Sequence, residues 1–406
     1  MSERLTEAHP GSREYLPGSL ICPLELSAKG VSTTSGIGGY VSEDPSHFMV
    51  HELSKCHPSG EGEHSMALIL KCDRTTEEAV SAIAEATGVS SAEIGYAGRK
   101  DKKALTTQWM SFPCVAESLK SNDPQVLIVC ASAHRQKLRL GYNAGNLFTI
   151  LISEIDELSS VADEVARIQR GIPNYFGQQR FGNAWYERRP EPGYIPPVDA
   201  DGTPVQDPSN RARDNVDRAL RFLDKFDDPR TFRRLKGQQK REVKLSLSAL
   251  QSALFNLWVG ERIRDGLADQ VIAGDVCRKI EGGTFYSSEP EVDTERLRRG
   301  EIMVLGPMVG PKLFPAQAAA KLREEKLYEE WGLTEARRSG LAKAWRGDRR
   351  SMLLSPLHLT AFPQRRETGE LDLRLSFTLP SGSFATAVLG SLIDPHQKVF
   401  TRRPVG

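Results

Sequence analysis

Apolar and polar residues alternate in some stretches of this chain and recur every three or four positions in others. The first period belongs to a half-buried strand and the second to a helix with one apolar face. Order begins near Asp44. Phe48-Met49-Val50-His51-Glu52 alternates as a strand, the turn-rich run His57 to His64 follows, and Met66 to Lys71 makes the returning strand of a hairpin. Thr75-Thr76-Glu77-Glu78 has the spacing of a capping box. Val80, Ile83, Ala84 and Thr87 then share a helical face, and Gly88 suits the C-terminal cap. Leu105 to Phe112 alternates again, so the pattern predicts a strand, a tight turn carrying Asp101, and a second strand. His134 to Arg139 is basic and alternating, and Gly145 to Ile150 continues as a strand. Leu158, Val161, Val165 and Ile168 predict a helix that Gly171 and Pro173 close. Helical periodicity returns near Asn215, is strongest in the amphipathic run Leu247, Leu250, Leu254, Leu257 and Trp258, and recurs from Lys321 to Trp331. Leu371 to Leu379 is a clean strand.

Composition bounds what such a chain does. Its 406 residues suffice for two domains, and 39% hydrophobic with 26% charged residues is a soluble globular profile. Net charge is +1, so affinity for nucleic acid has to come from local basic surface such as the run Arg230, Arg233, Arg234, Lys236, Lys240, Arg241 and Lys244. No apolar run approaches a membrane span and the N-terminus carries no signal pattern, which predicts a cytoplasmic protein with no membrane partner. Six scattered cysteines without a CxxC pair argue against zinc and against disulfides. His47, His51, His57 and His64 cluster in sequence, but their spacing matches no metal motif, so no metal is expected. Residues 1 to 40 read as an irregular extension, and residues 188 to 210 hold six prolines and read as an exposed loop.

The densest candidate chemistry is the segment Gly95-Tyr96-Ala97-Gly98-Arg99-Lys100-Asp101-Lys102-Lys103-Ala104-Leu105-Thr106-Thr107-Gln108. One carboxylate, Asp101, stands among four cations, Arg99, Lys100, Lys102 and Lys103. Such neighbours favour the ionised acid, which suits a nucleophile better than a general acid, and they attract phosphate. The same residues would equally make a turn cap inside a solvated basic rim. Asn146 and Phe148 lie two apart on a strand and share a face, so they would read and stack on a base, or else Phe148 joins Ile150 and Ile152 in a core.

The segment at 95 to 108 resembles the signature of the TruD family of tRNA pseudouridine synthases. So do the Phe-x-Val-x-Glu strand at Phe48, the run Gly60-Glu61-Gly62-Glu63-His64, the pattern from Lys137 through Phe148, the block Gly171-Ile172-Pro173-Asn174-Tyr175-Phe176-Gly177-Gln178-Gln179-Arg180-Phe181-Gly182, and Pro380 to Thr386. The order is the family's, and the likeness spans roughly residues 44 to 394. It departs at Gly390-Ser391, where the family usually has an Arg-Glu pair. The resemblance implies an α+β fold: a pseudouridine-synthase-like catalytic domain with a mixed, mainly antiparallel sheet (41–170 and 351–406), and an inserted α/β TRUD domain (171–350), with RNA held between them. It implies isomerisation of a uridine to pseudouridine in tRNA, at position 13 of the D-arm, by a monomer without cofactor or metal. Asp101 would be the catalytic residue and Lys100 would hold it ionised or contact phosphate. Asn146 and Phe148 would sit in the uridine pocket, and Arg180 and Phe181 would contact RNA. Two other readings of the residues remain: an RNA-binding protein on the same scaffold, and a glycosidic hydrolase drawing a second carboxylate from Glu52 or Glu63.

Overall fold

A computed structural model describes residues 36–156, 158–176, 215–225, 232, 234–340, 345–393 and 400–401. The described residues divide into two compact units, one built from the chain between Thr34 and Ile172 and again from Leu354, the other from Pro173 to Leu353. Among the described residues no helix is long and apolar enough to cross a membrane.

The first unit is an eight-stranded sheet. Its strands in chain order are β1 (Phe48–Ser54), β2 (His64–Cys72), β3 (Gly95–Tyr96), β4 (Leu105–Phe112), β5 (Val126–His134), β6 (Asn143–Ile152), β11 (Leu357–Arg365) and β12 (Leu371–Pro380), the four strands between β6 and β11 belonging to the other unit. They lie side by side as β11-β12-β6-β1-β4-β2-β5, and β3 pairs with β4. Only β1 and β4 run parallel; every other pairing in this sheet is antiparallel, the mixed, mainly antiparallel sheet that the resemblance implies. Helix α1 (Thr76–Thr87) begins at the predicted capping box. Thr75 accepts from the Glu78 amide, the Glu78 carboxylate accepts from the Thr75 amide, and Gly88 ends the helix in the left-handed region at φ 76°. Those backbone bonds, with Lys102 beside them, hold the Glu78 carboxyl at about 2. Helix α1 covers Ala67, Ile69, Met110 and Phe112 of the sheet with Ala79, Val80 and Ile83. Helices α2 (Val161–Arg170) and α7 (Ala385–Leu392) cover a second apolar stretch around Ile150, Ile152, Leu373 and Leu375.

The second unit is organised around α4 (Gly237–Arg264), which packs against α3 (Asn215–Lys225) and strand β9 (Ile302–Met308). The sequence predicts one apolar face for α4; the structure buries every residue from Gln251 to Gly260. A helix wrapped on all sides has to satisfy its polar residues internally. Asn256 does so with the backbone of Phe176, donating to its carbonyl at 3.0 Å and accepting from its amide at 2.9 Å. Strands β7 (Val276–Lys279), β8 (Thr284–Tyr286), β9 and β10 (Asp348–Ser351) form an antiparallel sheet in the order β8-β7-β9-β10. Helices α5 (Pro290–Arg298) and α6 (Ala318–Glu330) also belong to this unit. Asp348, Arg349 and Arg350 pair with Met308, Pro307 and Gly306 in this unit's sheet.

Candidate active site

The signature segment is held by three kinds of backbone anchor. Its first two residues form β3, antiparallel to β4, with Gly95 opposite Ser111 and Tyr96 opposite Met110. A side chain on Gly95 would strike the carbonyl of Leu138 and the hydroxyl of Ser111, so only glycine fits this approach. Residues 97–104 are a broad loop between β3 and β4, where the pattern predicts a tight turn. Its length is sustained by side chains from elsewhere. Gln108, fully buried on β4, donates to the Gly98 carbonyl and accepts from the Thr76 hydroxyl at 3.0 Å. The Thr76 hydroxyl in turn accepts from the Lys100 amide at 3.0 Å. The start of α1 and the middle of β4 therefore fix the loop just before Asp101.

The basic stretch after β5 lies alongside. The strand ends at His134, and 135–142 is a loop in place of the alternating continuation. Gly141 donates to the Ala97 carbonyl at 2.7 Å and Leu138 to the Ser111 hydroxyl at 2.8 Å, while Arg135 pairs with Glu61 of the acidic turn.

Each of the four cations beside Asp101 has a carboxylate of its own. Arg99 meets Glu77 at 2.6 Å, Lys102 meets Glu78 at 3.0 Å, and Lys103 meets Asp73 at 3.4 Å. Lys100 turns inward to Glu52 at 2.7 Å, and both side chains are almost fully buried, 5% and 0% exposed. The resemblance implies that Lys100 holds Asp101 ionised or contacts phosphate; here its ammonium is paired with Glu52. A carboxylate buried on β1 demands a partner, and Lys100 supplies it. Lys100 also donates to the side-chain amide oxygen (Oδ1) of Asn146 at 2.9 Å, and Glu52 accepts from the Trp109 amide at 3.3 Å. Glu52 and Asn146 are cross-strand neighbours on β1 and β6, so one ammonium bridges a single pair of the sheet. Burial in that pair takes Glu52 away from any water it would have to activate in a hydrolase, and Glu63 is exposed on the turn before β2.

Asp101 is exposed, and among the described residues its carboxylate makes no hydrogen bond or ion pair. Its carbonyl accepts from Lys71 at 2.7 Å. Lys71 is fully buried near the end of β2 and donates also to the Arg74 carbonyl at 2.6 Å. Burial pushes this ammonium down to about 8, and the charge of Asp101 opposes the shift. The sequence reading missed Lys71 although a signal was there. In Ala67, Leu68, Ile69, Leu70, Lys71 the buried parity is 67, 69 and 71, which puts a lysine where the strand faces the core.

Asn146 and Phe148 do share a face, and the structure separates their surroundings. Asn146 is half-buried against Lys100. Phe148 is 5% exposed, stacked on Phe377 with ring centroids 5.4 Å apart and edge-on to Phe48 at 6.2 Å. It occupies the apolar core, the alternative its neighbours Ile150 and Ile152 left open. Arg180 and Phe181 lie outside the described residues, as do Arg230 and Arg233. The earlier part of that block is a structural clasp. Arg350 donates to the side-chain and backbone oxygens of Asn174 and lies 4.1 Å above the Phe176 ring. Among the described residues no group of three or more His, Cys, Asp and Glu is placed to hold a metal ion. An open groove of about 440 Å³ beside α1 is lined by Glu77, Glu78, Glu85 and Asp123 together with Arg74, which pairs with Asp123.

The geometry is that of a held carboxylate: a loop pinned on both sides, its cations paired away, and one acid left facing solvent. Comparison with known proteins gives it a context. The family model described as tRNA pseudouridine synthase D (TruD) matches residues 28–188 and 222–391. The tRNA pseudouridine synthase D of Anaeromyxobacter sp. (strain Fw109-5) is 38% identical over 369 residues, 88% of this chain and 93% of that protein. A protein of the same name from Thermus thermophilus is 33% identical over 366 residues, 87% and 88% of the two chains. A crystal structure of the putative tRNA pseudouridine synthase D from Methanosarcina mazei superposes with a TM-score of 0.65 at 22% identity, covering 90% of this chain and 95% of that one, a likeness of fold.

Proposed function

This chain belongs to the tRNA pseudouridine synthase D family, an isomerase family that converts uridine to pseudouridine in tRNA, and we propose that it does so at position 13 of the D-arm with Asp101 as nucleophile and no cofactor. One observation carries the assignment of Asp101. Among the acids around the signature loop, Asp73, Glu52, Glu77 and Glu78 each hold a cation, and Asp101 alone is left exposed without a bonded partner among the described residues. An unpartnered carboxylate in a rigid loop is what attack on a sugar carbon requires.

The reaction balances without any other reagent. An Asp101 oxygen bonds to the ribose C1′ as the N1–C1′ bond breaks, and the electron pair leaves with the base. The freed base turns so that C5 faces the sugar. C5 then bonds to C1′, the carboxylate departs, and the C5 proton is lost to solvent while N1 gains one. The base must leave its stack for this, at a cost of a few kcal/mol. Asn146, half-buried beside Lys100, is the polar group available to read its edge. Phe148 supports that strand from the core, and Arg180 and Phe181 supply RNA contacts.

The test is tritium release from tRNA transcripts labelled at uridine C5, with the product mapped by chemical derivatisation and primer extension. Wild-type protein should release tritium and mark position 13; Asp101→Asn should lower release by more than about 10³-fold and leave tRNA affinity unchanged or higher. Release by the variant at the wild-type rate would remove Asp101 from the chemistry.

A further inference from the structure

Lys71 has no counterpart in the described residues of this unit. It is a lysine at zero exposure whose two bonded partners, the carbonyls of Arg74 at 2.6 Å and Asp101 at 2.7 Å, are neutral. A buried ammonium without a carboxylate in contact is costly, and a methionine of similar shape would fill the same space without that cost. The nearest use for the charge is the loop it touches, because one of its two bonds ends on the backbone of Asp101 itself.

We propose that Lys71 is the positioning residue of the active-site loop: its ammonium fixes the backbone of Asp101 from beneath, and turnover requires that Lys71 carry its proton. The inference rests on the reading of Asp101 as the catalytic carboxylate. A charged donor makes a carbonyl bond roughly twice as strong as a neutral amine does, so loss of the proton weakens both tethers together. It also removes the positive charge lying under the Asp101 carboxylate. The groups that face Lys71 and set its charge are Asp101 and Lys100 on the loop, Glu78 on α1 and Cys72 next to it on β2, with Asp101 the largest charge contribution. Burial brings the proton within reach of mildly alkaline solution, about 8, whereas an exposed lysine would keep it well beyond. The loop is thereby coupled to pH through a residue that touches no substrate.

Single-turnover tritium release, measured from neutral to strongly alkaline pH with enzyme in excess, tests this with wild type, Lys71→Arg, Lys71→Met and Asp101→Asn side by side. The wild-type rate should fall above about pH 8. The alkaline limb should move to higher pH in Lys71→Arg, which keeps its charge. Imino protons of the RNA bases titrate alike in all reactions, so the displacement between the two profiles is the readout. Lys71→Met should be slower by about 10²-fold at every pH, the usual consequence of a misplaced reacting group, with tRNA affinity and melting temperature near those of wild type. A Lys71→Met rate equal to wild type, or coincident limbs for wild type and Lys71→Arg, overturns the proposal. Should neither variant fold, a wild-type rate that stays flat into strong alkali overturns it. Full activity of Asp101→Asn would instead overturn the nucleophile assignment, so the two failures are distinguishable.

Discussion

Each unit buries a cation completely, and the two are answered in opposite ways. Arg262 on α4 meets both oxygens of Asp275, at 2.8 and 3.0 Å, donates to the Gln270 carbonyl, and lies 5.1 Å from the Trp258 ring. Charge meets charge with matched geometry, and of the Arg262 guanidinium nitrogens only Nε lacks a hydrogen-bond partner among the described residues. Lys71 meets only carbonyls, and the acid whose charge it feels stands in solvent on the loop above. The first arrangement is closed and holds a fold. The second is open, its electrostatic complement being a group free to do something else. An incompletely answered buried charge is therefore the better guide to chemistry in this molecule than the density of charge along the sequence.

The largest effect that would break this comparison is in the closed pair. Asp275→Ala should cost about 3–5 kcal/mol in urea unfolding, because it strands Arg262 without a counter-charge. Replacing both partners by apolar residues, Arg262→Met with Asp275→Leu, should restore most of that loss. If the single change costs less than the double, Arg262 is not held as a closed pair and the contrast with Lys71 fails.

A smaller effect separates the units by pH. Lys71 is held at about 8 against an ordinary 10.5, so the unfolded chain binds more protons across that window and Lys71 makes the protein more stable as pH rises through it. Burial pushes the Cys277 thiol the other way, from 9.0 up to about 12. Its unfolded form loses the proton first, so its contribution is fully present below about 9 and declines as pH rises toward 12, by at most about 1.4 kcal/mol per pH unit. Hydrogen exchange resolved by segment should show α4 and β7 losing protection in alkali while β2 does not, and Cys277→Ala should flatten the loss. Equal alkaline loss in both places would show that neither buried group governs its own unit.

The smallest effect belongs to the exposed rim. Arg99→Ala should change stability by less than about 1 kcal/mol, since its pair with Glu77 is open to solvent, with the arginine 76% exposed. It should still lower tRNA affinity and reduce the slope of affinity against salt by about 1, because the guanidinium is free to exchange Glu77 for a phosphate. An unchanged salt slope would make the rim a purely internal network.

What the sequence made legible follows from the range of the physics involved. The capping box at Thr75 and the alternation in β1, β2, β4 and β12 are local, so they were readable from neighbours in the chain. Asp101 was readable because its signature is contiguous. The support for that signature was not, because Glu52, Lys71, Thr76 and Asn146 reach it from other elements, and nothing in their own stretches says that they meet at this loop. Phe148 illustrates the limit of periodicity. A period of two assigns it a face but not what shares or covers that face: Phe48 and Phe377 flank it from the adjoining strands, and α2 and α7 belong to the same apolar core. The predicted amphipathic helix is wrapped on all sides between Gln251 and Gly260 for the same reason: the elements that bury its polar side there are distant in sequence.

The hydrogen bond from the Lys100 amide to the Thr76 hydroxyl bears on whether this chemistry is portable. An engineer who grafted the signature segment onto another β-hairpin would carry over the reactive acid and leave behind its mountings. Thr76 comes from a helix start, Glu52 and Asn146 from two adjoining strands, and Lys71 from a third. The smallest transferable cassette is thus the whole stretch from β1 through β6, and a shorter graft should deliver a carboxylate with an address but no fixed position.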